Sequence, residues 1–307
     1  MSVKGAIIIQ ILTTALLTIL IVTILLISQK GLRKVVPIWK STRRAFLGIH
    51  SGGSDNDPVI IHYASPRIEL EIMRQSTLYL YETFRDKHVE KVRGLIHLGA
   101  FPMLHPICVI AKDQKGGEIF IMLRGRRYVE ENELFKTWRQ AEIYIGDRNF
   151  HVFEGFVVVF NQIELEVKRI LLAHKGRVHI VGHSLGAGVG VMLAVSLHLA
   201  FPGRIASVVL LANTRVSAPA LAEFIQHDHP QLWDKIWRVV NECDPFVQLP
   251  LSYMPSLSNE YYDPVVYAHI GRCALLFQSI CSNVSGGHQL KVYHMAIEQA
   301  ILASAST

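Results

Sequence analysis

The stretch Val178-His179-Ile180-Val181-Gly182-His183-Ser184-Leu185-Gly186-Ala187-Gly188 decides the fold. It reads as a buried strand, a tight turn at Ser184 and a helix that begins at once. Gly182-His183-Ser184-Leu185-Gly186 has the G-x-S-x-G pattern of a nucleophile elbow. A serine held on a sharp strand-to-helix turn projects its hydroxyl above the sheet, and only small neighbours let such a turn close. Gly182 and Gly186 supply that room, while Ala187, Gly188 and Gly190 let the helix approach the sheet. The amide of Leu185 falls at the helix N-terminus, where unpaired N–H groups and the macrodipole favour a developing oxyanion.

Outward from the elbow, strands and helices alternate. A helix follows from Leu185 to about Leu199, then a strand at Ala206 to Leu211, a helix near Ala218 to Gln226 and a strand near Ile236 to Val240. Upstream, Phe156 to Leu172 has helical apolar spacing. Pro106 to Ala111 and Ile119 to Leu123 read as strands joined by the hairpin-like turn Lys112–Gly117. Ile68 to Val92 reads as one or two helices and Lys291 to Leu302 as a closing helix. Arg124 to Arg148 is a charged, aromatic-containing stretch. This order predicts an α/β domain, mainly parallel in its central sheet, with helices on both faces.

The N-terminal region has a different composition. Ala6 to Ser28 carries no charge and is dominated by Ile, Leu, Val and Thr. As a helix it spans roughly 34 Å, enough to cross a hydrocarbon core of about 30 Å. It exceeds the apolar region of a signal peptide and runs into the basic Lys30, Arg33 and Lys34. We therefore expect a transmembrane anchor over residues 1–29, a basic juxtamembrane segment and linker over 30–58, and the α/β domain over 59–307. The net charge of +6 resides at the same end, because seven of the 31 basic residues precede the first acid, Asp55. The remaining 24 face 25 acidic residues, so a nucleic-acid partner is not expected. Basic residues after the helix place the domain in the cytosol by the positive-inside rule, as a single-pass membrane protein. Trp39 among Lys40, Arg43 and Arg44 suits contact with anionic headgroups.

The four cysteines, Cys108, Cys243, Cys273 and Cys281, form no CxxC pair. They support no zinc knuckle and fit a reducing compartment, with Cys273 and Cys281 the nearest pair for a disulfide. Asn283-Val284-Ser285 is a glycosylation sequon, a triplet common by chance.

A serine nucleophile needs a base, and the base an orienting acid. Candidate acids after Ser184 are Asp228, Asp234, Asp244 and Asp263. Asp244 has the best position, after the β-run Trp237–Asn241 and before Pro245, because catalytic groups of open α/β sheets sit beyond the carboxyl ends of strands. Candidate bases are His227, His229, His269, His288 and His294. His288 follows Ser285-Gly286-Gly287 and opens the last helix. His269 and His294 are its rivals, the latter within the apolar period of that helix. His227 and His229 flank Asp228 without a third metal ligand nearby.

Five further stretches share an order with the elbow. Leu123-Arg124-Gly125, His151–Phe156, Thr214-Arg215-Val216, Arg238–Pro250 and Tyr267–Gly271 resemble "F-R-G-T", "V-H-x-G-F", "P-R-V-G-N", "R-V-x-N-x-x-D-x-V-P-x-L-P" and "Y-x-H-x-G". Together with the elbow and the late His288–Tyr293, "H-x-x-x-x-Y", they resemble the class 3 lipase family, across about Leu123 to Ile301. The resemblance implies an α/β-hydrolase fold and a Ser184, Asp244, His288 triad, with oxyanion donors at Leu185 and Arg126. It implies neither cofactor nor metal. The sequence departs from the family at Arg126, where a Thr or Ser is usual, and in the lost Pro, Gly and Asn around Arg215. The late histidine also lacks its usual preceding Asp. Tyr128 to Trp138 falls where such lipases keep a lid.

The function implied is a membrane-anchored serine lipase acting on acyl glycerols, with lipid as substrate partner and the membrane as support. A phospholipase A1, another carboxylesterase or acyltransferase on the same fold, and a lipid-binding scaffold with weakened catalysis are the alternatives.

Overall fold

The computed structural model describes residues 58–63, 65–85, 89–102, 105–127, 131, 134, 139–250, 252–254, 265–279 and 286–305. The expected anchor, basic segment and linker up to Asp57, most of the Tyr128–Trp138 stretch, Asp263, Cys281 and the sequon lie outside these residues. Among the described residues no helix is long and apolar enough to cross a membrane. The chain divides into two units, Met1–Asp57 with Ile280–Gly287, and Pro58–Ser279 with His288–Thr307. The second contains every element and site residue discussed below.

Its centre is an eight-stranded sheet built from β1 (Val59–Tyr63), β2 (Leu95–Phe101), β3 (Cys108–Asp113), β4 (Ile119–Leu123), β7 (Val178–His183), β8 (Ile205–Leu211), β9 (Ile236–Asn241) and β12 (Arg272–Gln278). The spatial order is β1-β12-β9-β8-β7-β4-β3-β2. Neighbours from β12 to β4 run parallel, while β1 and the β2–β3–β4 meander pair antiparallel at the edges. The mainly parallel sheet expected from the sequence is therefore present. The central strands read as continuous apolar runs because both faces are covered. In β4, Ile119, Ile121 and Leu123 belong to one apolar cluster, and Phe120 and Met122 to the other.

Helices α2 (Glu154–Ala173) and α3 (Leu185–Ala200) cover the first face; α1 (Arg67–Thr83) and α6 (Leu290–Ser304) cover the second. Every residue of α3 from Leu185 to Leu197 is buried, which explains its lack of a polar stripe. In α2 the buried residues Phe156, Phe160, Ile163, Val167 and Ile170 recur at helical spacing, and Val158, Leu165 and Leu172 face solvent. The hairpin β5 (Gln140–Ile145) and β6 (Arg148–Phe153) precedes α2. Between β8 and β9, α4 (Pro219–Glu223) continues into a π turn at Phe224–Asp228, followed by α5 (Pro230–Trp233). A two-residue ladder joins β10 (Tyr253–Met254) to β11 (Val265–Val266).

Several boundaries differ from the expectation. The strand placed at Pro106–Ala111 runs Cys108–Asp113, and α2 begins two residues earlier than Phe156. The helix expected at Ala218–Gln226 is a short α-turn with a π extension. Among the described residues of the Ile68–Val92 stretch, the helix runs over Arg67–Thr83. Strands β1, β2, β5, β6 and β12 were not expected. Cys108, Cys243 and Cys273 carry no disulfide.

Candidate active site

Strand β7 delivers Ser184 in a backbone conformation that side chains rarely adopt, φ 55° and ψ −118°. A non-glycine residue there costs of order 1–3 kcal/mol, which the surrounding contacts must hold. Three of them do. Ser184 N donates to Leu211 O at 3.0 Å, and Ser184 O accepts from Ala187 N at 2.9 Å. The third is the close backbone crossing at the elbow. A Cβ on Gly182 would sit 2.3 Å from Gly186 O, and one on Gly186 2.3 Å from Leu123 O. The glycines are thus required by backbone approach.

Asp244 lies beyond the end of β9 and is fully buried. Asn241 fixes the turn that carries it: its carbonyl accepts from Asp244 N at 3.0 Å, and its side-chain oxygen from Cys243 N and Ser279 N, both at 3.1 Å. Asp244 Oδ1 accepts from Phe246 N at 2.9 Å, capping the 3-10 turn Pro245–Gln248. Its Oδ2 accepts from Tyr293 Oη at 2.7 Å and lies 2.6 Å from His288 Nδ1. His288 Nε2 is 2.8 Å from Ser184 Oγ. The three residues picked from the sequence therefore meet in one line. The tautomer that satisfies both contacts carries its proton on Nδ1, donates it to Asp244, and leaves Nε2 to accept from the serine hydroxyl.

Two neighbours complete the cradle of the imidazole. His183 Nε2 donates to the carbonyl of His288 at 2.8 Å, and the Phe246 ring lies 4.6 Å from that of His288. Burial, then the charge of His288, lowers the His183 pKa to about 3, so this imidazole is neutral at physiological pH. Tyr293 is fully buried; burial first, and the Asp244 carboxylate next, raise its pKa well above the usual value. Its phenol remains a donor throughout.

The segment leading to Arg126 also abuts the elbow. A Cβ on Gly125 would lie 3.2 Å from Ser184 Cβ, so the chain passes directly beside the serine. Arg126 follows with an exposed side chain. Leu185, the other expected oxyanion donor, opens α3 with its side chain buried. Arg124 anchors the segment: its guanidinium donates to Pro106 O at 2.7 Å and Gly125 O at 2.9 Å, and pairs with Glu131 at 2.7 Å. Glu131 also accepts from Arg127 N at 2.6 Å.

The rival candidates lie elsewhere. Asp228 is exposed and pairs with Arg148 at 2.5 Å. Asp234 is exposed at the end of α5. His294 faces Glu298 one turn along α6 at 3.5 Å, and His269 lies near Arg215 and Arg238. His227 and His229 flank the exposed Asp228, and no group of three metal-ligating side chains occurs among the described residues. Sequence reasoning missed the support given by Tyr293, His183 and the Arg124–Glu131 pair. Tyr293 stood within the quoted "H-x-x-x-x-Y", but its partner is 49 residues upstream, a distance no local pattern reveals.

A hydroxyl, an imidazole and a buried carboxylate aligned at the carboxyl end of a parallel sheet define the α/β-hydrolase class. The family model described as Lipase (class 3) matches residues 122–254. Solved structures of fungal lipases share the fold. Rhizomucor miehei triacylglyceride lipase is 17% identical, with a TM-score of 0.50 over 76% of this chain and 95% of that one. The lipase of Rhizopus microsporus var. chinensis is 16% identical, with a TM-score of 0.51 over 72% and 90%. A triacylglycerol lipase whose catalytic centre is formed by a serine protease triad is 17% identical, with a TM-score of 0.50 over 76% and 95%. No curated protein matches the chain by sequence. Residues 122–254, 133 of the 307, thus resemble the class 3 lipase family, and the match supports a carboxylic ester hydrolase.

Proposed function

We propose that the protein is a membrane-anchored serine lipase that hydrolyses acyl esters of glycerolipids, with its catalytic domain on the cytosolic side. One observation carries the chemical part: Ser184 Oγ, His288 Nε2 and Nδ1, and Asp244 Oδ2 stand in sequence at 2.8 and 2.6 Å. Ser184 Oγ attacks the ester carbonyl while His288 Nε2 takes its proton. The tetrahedral oxyanion is held by the amides of Leu185 and Arg126, the first at the N-terminus of α3. Collapse expels the glyceride alkoxide, which leaves with the proton from Nε2. Water, deprotonated by the same nitrogen, then attacks the acyl-serine and releases the fatty acid. Asp244 holds the tautomer and stabilises the imidazolium. These groups supply the reaction without a cofactor.

The glycerolipid assignment rests on the class 3 lipase match and on two solved neighbours named as triacylglyceride and triacylglycerol lipases. The anchor rests on the uncharged run Ala6–Ser28 and the basic residues after it. Such a helix holds the site at the surface where an insoluble substrate resides.

A fluorophosphonate probe tests the chemistry. Labelling of the wild type that disappears in Ser184→Ala supports the reading; a folded wild type that takes no label refutes it. A panel of mono-, di- and triacylglycerols and phospholipids then identifies the substrate. Resistance of the full chain to alkaline carbonate extraction from membranes tests the anchor.

A further inference from the structure

The segment beside the elbow contains a shielded ion pair whose geometry bears on the oxyanion. The side chains of Arg124 and Glu131 are only 5% and 12% exposed. Arg124 Nη2 donates to Glu131 Oε1 at 2.7 Å and Nη1 to Oε2 at 3.1 Å, a two-pronged fork. Other donors of the same guanidinium go to backbone carbonyls. Nε donates to Pro106 O at 2.7 Å, Nη2 to His105 O at 3.3 Å and Nη1 to Gly125 O at 2.9 Å. Arg124 N donates to Ile107 O at 2.9 Å. The guanidinium is thus fixed from several directions.

The bond to Gly125 O has the chemical consequence. That carbonyl belongs to the same peptide unit as the Arg126 N–H. The Gly125–Arg126 bond is trans, and a planar trans peptide points its C=O and N–H in opposite directions. Holding the oxygen therefore sets the direction of the amide. A donor on the carbonyl also polarises the peptide and strengthens its N–H as a donor. One position further on, Arg127 N donates to Glu131 Oε2 at 2.6 Å, and the Arg127 guanidinium donates to Phe84 O. On the other flank Gly125 abuts the elbow. A Cβ there would lie 2.7 Å from His183 Nδ1 and 3.2 Å from Ser184 Cβ. The peptide unit that carries the Arg126 amide is therefore braced on both sides, with the serine next to it.

Taking both partners of an ion pair out of water costs much of what their attraction returns. The Arg124–Glu131 pair accordingly contributes more to placement than to stability. We propose that Glu131 is a positioning residue of the oxyanion hole, a role that presupposes the serine-hydrolase chemistry proposed above. Its carboxylate locks the Arg124 guanidinium onto Gly125 O and holds Arg127 N. Together these contacts aim the Arg126 amide at the oxyanion that forms when Ser184 is acylated.

The full chain in neutral detergent is assayed on p-nitrophenyl butyrate and on its thiono counterpart, in which sulfur replaces the carbonyl oxygen. Aimed amide donors stabilise a developing oxyanion, and sulfur accepts their hydrogen bonds poorly. The oxo-to-thiono ratio of kcat/KM therefore reports the hole, and the amount of folded enzyme cancels from it. Glu131→Gln keeps the shape and loses the charge. Its kcat on the oxo ester falls about 10- to 100-fold with KM little changed, as for a group misplaced by about 1 Å. Its oxo-to-thiono ratio falls several-fold. Arg124→Lys, which keeps the charge but loses the fork, moves the ratio the same way. Equal losses on both esters in the two variants, or wild-type rates and ratio, overturn the positioning role and leave the hydrolase reading standing. A wild type that hydrolyses neither ester and takes no fluorophosphonate label overturns that reading, and the role of Glu131 with it.

Discussion

At the residue scale the proposed reaction depends on how the imidazole of His288 is held. Asp244 accepts from Tyr293 and Phe246 N as well as from His288. Asp244→Asn preserves the shape but favours the wrong tautomer, so kcat falls about 10⁴-fold with little change in melting temperature. Tyr293→Phe removes one charge-assisted hydrogen bond, of about 1.5–3 kcal/mol, from a buried carboxylate. We expect a roughly 10- to 100-fold loss in kcat with KM unchanged, measured on a soluble ester. His183 and His269 contribute to the acid limb of stability. Both pKa values are lowered from 6.5 to about 3, chiefly by burial. Each is held neutral in the fold while the unfolded chain takes up a proton below about pH 6.5. Stability is therefore full above pH 6.5 and declines as pH falls toward 3. Urea midpoints across this window should drop, and His269→Gln should flatten the slope.

At the scale of elements, the elbow depends on backbone proximity, so Gly186→Ala should be far worse than a typical helix substitution. The new methyl would collide with Leu123 O, and soluble yield should collapse or stability fall by about 1–3 kcal/mol or more. Helix α2 offers the converse. Leu165 is exposed and Ile163 fully buried. Leu165→Gln should change stability by under about 0.5 kcal/mol and Ile163→Ala should cost about 2–5 kcal/mol in urea unfolding. The elements that sequence reading recovered are the ones whose burial is simplest. β4, β7, β8 and β9 are covered on both faces and largely apolar, and α3 is buried nearly all round, so each stands out as a run. The hairpin β5–β6 does not, because its solvent face carries Glu142, Tyr144, Arg148 and His151 between buried Ile143, Ile145, Phe150 and Val152. β12 was hidden by its position after the "Y-x-H-x-G" stretch. The alignment of Ser184, Asp244 and His288 was legible because turn chemistry and chain order mark these positions. The groups around them were not, since Tyr293, His183 and Arg124 act through contacts set only by the tertiary fold.

At the scale of the whole molecule, all three triad residues lie in the unit formed by Pro58–Ser279 with His288–Thr307. A chain beginning at Pro58 should therefore hydrolyse a short soluble ester at near wild-type kcat, and lose activity on lipid in membranes if residues 1–57 serve as the anchor. Equal activity of both forms on membrane lipid would argue against that role. The sheet that carries the site joins strands far apart in sequence, β4 beside β7 and β9 beside β12. Such pairing closes long loops and makes folding slow relative to a helical domain of similar size.

The placement of Tyr293 has a mechanical corollary. The base and the phenol that steadies its acid stand five positions apart, one just before α6 and the other in its first turn. A small slide of that single helix along α1 would separate imidazole from hydroxyl and phenol from carboxylate together. The enzyme thus has a fuse. Gentle perturbation should silence turnover at denaturant levels where the far-ultraviolet circular dichroism is still that of the intact protein.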